Sequence, residues 1–277
     1  MIITGEGMKL LKLTAILFTA LFIYSCEEST GGTDEAVQFL PFDVGNYFIY
    51  DYYELDQGFN AVGGTFATDS LFVYKNDVFL GRDAYFLERY RDGSLIDTMI
   101  FSEDEEHIYR YFDGSSFSFP EMPDDWYRIF EKSNTAPTWN IYKIKYTDYT
   151  VNYLDEEFPA NANFTFNVFR ERFDSIEVAQ TGLRRLQKEY DIKSDRRLEF
   201  KIPFETQPNL YDTARIRRTH LKLHRYMFVE GIGFSRLQND PSRIVTISQR
   251  PEKFPSNSQN INGDRAILTR FKIEGLN

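Results

Sequence analysis

Alternation of apolar and polar residues with a period of two dominates this chain and predicts β-strands. Turn residues such as Asp92-Gly93 separate the alternating runs, at spacings of roughly ten residues. The predicted strands are residues 46–53, 70–74, 82–90, 95–101, 107–112, 139–153, 164–173, 175–179, 216–229, 243–248 and 266–273. This pattern indicates a mainly β fold, an antiparallel meander that forms a curved sheet or open barrel with one or two short helices.

Three segments depart from simple alternation. Prolines interrupt residues 118–138, where residues 124–130 begin with two acids and are predicted to start a short helix. This region is also where the domain could subdivide. Residues 183–192 fit both a helical stripe and a strand, and we favour a strand because the neighbouring segments are strands. Gly231-Ile232-Gly233 predicts a tight turn or bulge between two strands.

The N-terminal segment has the layout of a targeting signal. Lysines in residues 8–12 precede an apolar run over residues 13–24, which is too short to span a bilayer and typical of a signal-peptide core. Ile23, Ser25 and Cys26 resemble positions −3, −1 and +1 of a bacterial lipobox. The alternatives are a short transmembrane anchor or an ordinary cleaved signal. Met8 is an alternative translation start to Met1.

Cys26, the only cysteine of the chain, is therefore predicted to carry the lipid. We expect residues 1–25 to be a lipoprotein signal peptide, 26–38 an acidic flexible tether, and 39–277 a single β-rich domain. The acids directly behind Cys26 resemble the surface-export signal of Bacteroidota lipoproteins, and a generic linker is the alternative. Several acyl chains would hold the protein firmly in a membrane.

Composition narrows the classes of partner. Removing residues 1–25 changes the net charge from −10 to −11, which disfavours nucleic acid and anionic headgroups. A single cysteine excludes a disulfide framework and a thiolate metal site. Phenylalanine and tyrosine are abundant, with 26 and 18 copies, and both favour pleated, half-buried surfaces.

Few residue patterns point to catalysis. His220 and His224 would share one strand face with Lys222, which permits a metal pair but fits an exposed basic face better. Acidic runs such as residues 103–106 predict solvated loops, because neighbouring residues of a strand point to opposite faces. The sequence holds no P-loop, G-x-S-x-G or H-E-x-x-H motif and no complete dinucleotide fingerprint. We predict no cofactor, no metal and no enzymatic activity.

One tripeptide recurs, an aspartate followed by a hydroxyl residue and then an aliphatic residue or methionine. Average composition gives roughly one such tripeptide in a chain of this length. The four hydroxyl residues in this pattern are Ser70, Thr98, Ser175 and Thr213. The pattern resembles the O-glycosylation signal of Bacteroidota envelope proteins, which makes these residues candidate acceptors. The alternative is turn chemistry in front of a strand.

Two further segments resemble uncharacterised Bacteroidota outer-membrane and surface lipoproteins. Residues 44–50, Val-Gly-Asn-Tyr-Phe-Ile-Tyr, are similar to their VGNYW-x-Y opening. Residues 228–234, which contain Gly-Ile-Gly-Phe, are similar to their C-terminal GIG-aliphatic turn. The resemblance implies a cell-envelope address and a curved-sheet fold, similar to open barrels that shield lipids. It brings no catalytic residues.

Together these features favour a non-enzymatic lipoprotein of the outer membrane, anchored by lipid and facing the cell surface rather than the periplasm. It would act as an accessory or binding subunit that contacts an outer-membrane protein complex or a surface ligand. One alternative is a carrier that holds an apolar ligand in the cavity of the curved sheet. Another is a surface glycan hydrolase with two carboxylates in a cleft.

Overall fold

The computed structural model describes residues 39–112, 123–132 and 138–276, which belong to one compact unit, Gln38–Asn277. Cys26 and the predicted signal and tether lie outside the described residues. So do parts of the proline-rich region where a subdivision was predicted. The described part of the chain contains fourteen strands and no helix.

The strands follow one another with short connections. In chain order they are β1 Tyr47–Leu55, β2 Ala67–Phe79, β3 Arg82–Arg91, β4 Ser94–Glu103, β5 His107–Phe112, β6 Asp125–Glu131, β7 Thr138–Tyr153, β8 Glu156–Val178, β9 Leu183–Gln207, β10 Leu210–Val229, β11 Gly233–Asn239, β12 Ser242–Ser248, β13 Asn257–Ile261 and β14 Gly263–Lys272.

These strands form a single antiparallel sheet. Its order is β6-β5-β4-β3-β2-β1-β14-β11-β10-β9-β8-β7, while β12 pairs with β10 and carries β13 on its far side. The sheet curls into a nearly closed barrel with one unsealed seam. The predicted fold class, an antiparallel curved sheet or open barrel, is therefore confirmed.

The seam lies between β6 and β7, the two end strands of the sheet, which are not paired by backbone hydrogen bonds. Side-chain contacts join the two edges instead. Trp139 Nε1 donates to the Arg128 carbonyl oxygen at 2.9 Å, and the Arg128 guanidinium lies 4.7 Å from the centre of the Trp139 rings. The Tyr190 hydroxyl donates to the Glu131 carbonyl oxygen at 2.6 Å. These contacts tie β6 to β7 and β9.

The predicted short helix at residues 124–130 is wrong, because this segment forms strand β6. Tyr127 and Ile129 point inward and are buried, while Trp126 and Arg128 face outward. Asp125 is the first residue of β6, and its carboxylate accepts a hydrogen bond from the backbone N–H of Trp126 at 2.7 Å. The expected strand over residues 183–192 is confirmed as the start of β9.

The interior of the barrel is filled mainly by aromatic rings. Phe234 lies 4.6 Å from Phe228, 5.1 Å from Phe101 and 6.1 Å from Phe42, measured between ring centres. Aromatic side chains bury large apolar areas and gain further from tilted ring contacts. A second, smaller core lies where β7–β10 extend further, and includes Phe158, Phe200, Ala214 and Ile216.

Residues 39–46, here called the plug segment, pack into this aromatic core. Phe42 contacts Phe48, Tyr85, Phe101 and Phe234. The backbone N–H groups of residues 39 and 40 donate to the two carboxylate oxygens of Glu103, at 2.9 and 3.0 Å. The plug segment is thereby fixed to the rim of the barrel.

Glu103 corrects the prediction that residues 103–106 form a solvated acidic run. Its side chain is only 5 % exposed and pairs with Lys132 at 2.6 Å, whereas residues 104–106 are exposed as predicted. A buried carboxylate requires such partners, because an unpaired charge is costly away from water.

Candidate functional site

A groove lies on the outward face of β7–β10. Every second residue of these strands turns away from the core, because side chains alternate across a strand. Lys145, Asn163, Arg197 and Thr219 stand side by side in register across the four strands. The groove has a volume of about 860 Å³.

Charge is unevenly balanced in this groove. Its charged side chains are Lys145, Lys193, Arg197, Arg217, Asp195 and Glu199. This gives the groove four cations and two carboxylates, on a chain whose net charge is −10. We refer to this surface as the basic groove.

Both carboxylates of the basic groove form salt bridges with arginines. Arg197 binds Asp195 through two nitrogens, the closer pair at 2.6 Å. Glu199 lies between Arg215 and Arg217, and these guanidinium groups hold the pKa of its carboxyl below the usual range. Within the described ranges, no carboxylate pairs with Lys145 or Lys193. The lysines therefore remain available to an acidic partner.

The inner face of the same strands holds a second polar region. His220, Lys222 and His224 do share one face of β10, as predicted, but it points into the barrel. The prediction of an exposed basic face is therefore wrong for His224, which is buried. Burial, together with the charge of Lys222, lowers the pKa of His224 to about 3.

This inner polar region is internally paired. His224 Nδ1 lies 2.5 Å from Asn239 Oδ1, and the Asn239 amide donates to Asp264 at 2.9 Å. Arg110 donates to the Tyr226 hydroxyl at 3.2 Å and faces Asp97 at 3.8 Å. Such reciprocal pairing is what buried polar groups need for stability.

Two recesses on the inner face bear on the apolar-carrier alternative. One of about 160 Å³ is lined by Arg89, Arg110 and other polar groups, and one of about 310 Å³ by Arg196, Arg218 and their neighbours. Pockets for apolar ligands are mainly hydrophobic. The smaller recess does not fit this description, whereas the larger one also has Tyr149, Val151, Leu198 and Ile244 in its lining. Aromatic rings fill much of the barrel interior, and the recesses that remain are small.

The acids of the basic groove also fit glycan hydrolysis poorly. The general acid of a glycosidase has a raised pKa so that it stays protonated near neutral pH. Glu199 has a lowered pKa instead, because Arg215 and Arg217 stabilise its charged form. In the part of the chain that the structure describes, no group of three His, Cys, Asp or Glu side chains could hold a metal ion.

The four candidate glycosylation residues lie within strands β2, β4, β8 and β10, and none is buried. Thr98, Ser175 and Thr213 are exposed, while Ser70 is half-buried. Asp69, by contrast, turns inward to pair with Arg89 and Arg91. The structure spreads the four hydroxyls over the surface, and their glycosylation stays a prediction.

Sequence reasoning missed the basic groove. Its signal is the strict alternation in Ala162-Asn163-Phe164-Thr165-Phe166-Asn167-Val168, which places every polar residue on one face. The same phase continues in Lys143 and Lys145 on β7 and in Lys193 to Glu199 on β9. The predicted strands left out residues 156–163 and 193–207, which contribute the β8 and β9 residues of the groove, so the shared face was not recognised.

Comparison with known proteins gives two structural neighbours. One is a provisionally named lipoprotein of Parabacteroides distasonis, with a TM-score of 0.40 and 10 % identity over 85 % of this chain and 99 % of that chain. The other is a provisionally named exported protein of Bacteroides fragilis with a YmcC-like fold, with a TM-score of 0.32 and 8 % identity over the same shares. The sequence matches no protein-family model and no curated protein.

No helix in the described part of the chain is long and apolar enough to cross a membrane.

Proposed function

We propose that this protein is a non-enzymatic lipoprotein of the outer membrane, anchored through Cys26, which binds an acidic partner in its basic groove. The observation that carries this proposal is the pair of unengaged lysines in a groove whose carboxylates are already bound by arginine. A cationic groove attracts acidic groups and raises their local concentration. The partner is an acidic region of an outer-membrane complex or surface ligand.

The anchor supplies the location for this function. The apolar run that ends at Cys26 and the acids behind it support a lipid-anchored protein facing the cell surface. Digestion of intact cells with an added protease tests the orientation. Cleavage supports the surface location, and full protection would place the domain on the periplasmic side.

The binding role is tested by crosslinking the anchored protein in intact outer membranes and recovering its partners. The variant Lys145→Glu/Lys193→Glu reverses both unengaged charges of the groove. The control Lys253→Glu/Lys272→Glu makes the same change in net charge at two exposed lysines outside the groove. We expect the first variant to lose a crosslinked partner that the wild type and the control both retain.

Equal recovery of the partner with both double variants would contradict binding through the groove. Recovery of no envelope partner by the wild-type protein would contradict the role of a binding subunit altogether.

A further inference from the structure

We infer that the tip of the β2–β3 hairpin, residues 78–80, contacts the lipid bilayer that holds the anchor. This inference rests on the proposed lipid anchor but assigns a separate surface. Val78 and Leu80 are 66 % and 64 % exposed. Both project at the end of a hairpin, away from the core that buries Ala67, Leu71 and Val73 of β2.

The backbone conformation of the turn does not explain why residue 80 is an exposed leucine. This residue has a φ of +47° and precedes Gly81, which has a φ of +78°. Positions with positive φ favour Gly, Asn and Asp. The described chain has Asp92, Asp155 and Asn209 at such positions and the apolar residues Phe59, Leu80 and Leu154 at others. A leucine there exposes an apolar side chain at a site where a polar residue would suit the backbone better.

Aromatic residues continue the apolar surface behind the tip. The Phe79 ring lies 5.0 Å from Tyr111 and 6.1 Å from Trp126, measured between ring centres. It also lies 5.8 Å from Phe86, which contacts Tyr74. Tyrosine and tryptophan combine an apolar ring with a polar group, which suits the boundary between lipid and water.

The hairpin lies at the end of the barrel that holds the plug segment. Phe42 of the plug segment contacts Tyr85 of β3 at 5.9 Å between ring centres. Glu103, which binds the plug segment, is followed by Asp104, and Arg82 at the base of the hairpin faces Asp104 at 3.8 Å. A fully extended chain from Cys26 to Phe39 spans at most roughly 45 Å, which limits how far the start of the plug segment can lie from the lipidated residue.

Local charges favour an apolar contact. Lys75 pairs with Asp77 at 2.6 Å, and Arg82 faces Asp104. Asp83, the partner of Val78 in the β2–β3 register, adds a third carboxylate, so the tip carries no excess of cations, and the chain as a whole is acidic. The occupant we infer is consequently the headgroup and upper acyl region of a zwitterionic bilayer, in a contact that changes little with salt.

Leu154 provides a matched control position. It lies in the β7–β8 turn, has a φ of +52° and is 65 % exposed. Because adjacent strands are antiparallel, this turn lies at the opposite end of the sheet from the β2–β3 turn. The two leucines share exposure and backbone conformation, and they differ in the end of the barrel that they occupy.

The test uses the natively lipidated protein reconstituted into phosphatidylcholine–phosphatidylethanolamine vesicles. Acylation consumes the Cys26 thiol, so Leu80→Cys and Leu154→Cys each introduce one free thiol for an environment-sensitive fluorophore. We expect the fluorophore at position 80 to shift to shorter wavelength in vesicles and to be quenched by brominated acyl chains. The fluorophore at position 154 should show neither change.

Identical, water-like emission at both positions would overturn the inference. The intact mass of the same protein reports acylation independently. Acyl mass with a water-exposed position 80 contradicts the hairpin contact alone, whereas absence of acyl mass contradicts the anchor and with it this inference. The variant Leu80→Asn should keep the melting temperature, since asparagine accepts positive φ, and a marked loss would indicate a structural role for Leu80 instead.

Discussion

The inner and outer faces of β8 and β9 use the same two strands for opposite purposes. Inward, Phe164, Phe166 and Ile192 are fully buried among aromatic rings. Outward, Asn163 and Arg197 line the basic groove. Burial constrains the inner residues in size and polarity, whereas the outer residues are constrained little by the fold. The polar and cationic set on the outer face is the basis of the proposed binding role, and substitutions on each face can separate the two roles.

The largest expected effect comes from the inner face. Phe166→Ala should lower the free energy of unfolding by about 3–5 kcal/mol, because it leaves a cavity in the aromatic core. Urea denaturation measures this change. Its neighbour Thr165 faces outward, and Thr165→Ala should cost less than about 1 kcal/mol. Similar losses for the two variants would contradict the distinction between the faces.

Acidic pH should lower the free energy of unfolding through His224, which is buried on the inner face. Folded His224 stays neutral down to a pKa of about 3, while the unfolded residue titrates near 6.5. The unfolded state therefore binds more protons between these values, and stability falls as pH decreases from 6.5 towards 3. Between pH 6.5 and 4.5 this contribution amounts to about 2–3 kcal/mol.

Urea denaturation at several pH values in that window provides the measurement. The substitution His224→Gln removes the titrating group and should flatten the dependence on pH relative to wild type. An unchanged slope in this variant would show that His224 is not the group responsible.

Removing the charge of Glu103, which binds the plug segment, should lower the free energy of unfolding by a smaller amount. Glu103→Gln leaves the Lys132 ammonium without its opposing charge in a largely buried position, which should cost about 1–3 kcal/mol. Limited proteolysis should then cut the plug segment sooner, because its N–H groups lose charged acceptors. Glu105→Gln changes an exposed acid of the same run and should leave both properties unaltered. Equal effects from the two variants would contradict the role of Glu103 in holding the plug segment.

The smallest expected change in stability is on the outer face. Lys145→Glu/Lys193→Glu should shift the free energy of unfolding by no more than about 0.5 kcal/mol per site, as is usual for surface positions. Thermal unfolding and urea denaturation would both report it. Destabilisation approaching that of Phe166→Ala would mean that the groove lysines support the fold rather than a partner.

The fold class could be predicted because alternation is a direct consequence of half-buried strands. The segment at residues 124–130 was predicted wrongly because its paired acids and nearby prolines imitate a helix start, while its strand pairing with β5 depends on distant residues. The turn predicted at Gly231-Ile232-Gly233 is confirmed, because β10 ends at Val229 and β11 begins at Gly233. The range of β11 was not predicted and β13 was missed, since both strands are short and polar and are specified by their neighbours in the sheet.

Electrostatic roles were harder to predict than strands. Glu103 and the acids beside it look alike in sequence. The side chain of Glu103 alone is buried, because the plug segment and Lys132 pack against its carboxylate. The basic groove likewise depends on the register of four strands, which aligns Lys145 with Thr219 across 74 positions of sequence. Residue type alone carries neither piece of information.

The anchor at Cys26 is the premise that gives both the groove and the hairpin their setting, and the intact mass of the mature protein purified from membranes tests it most directly. We expect an N-terminus at Cys26 with the added mass of a diacylglyceryl group, with or without a third acyl chain. A mature protein that begins elsewhere, or that carries an unmodified Cys26, would contradict the proposed lipoprotein.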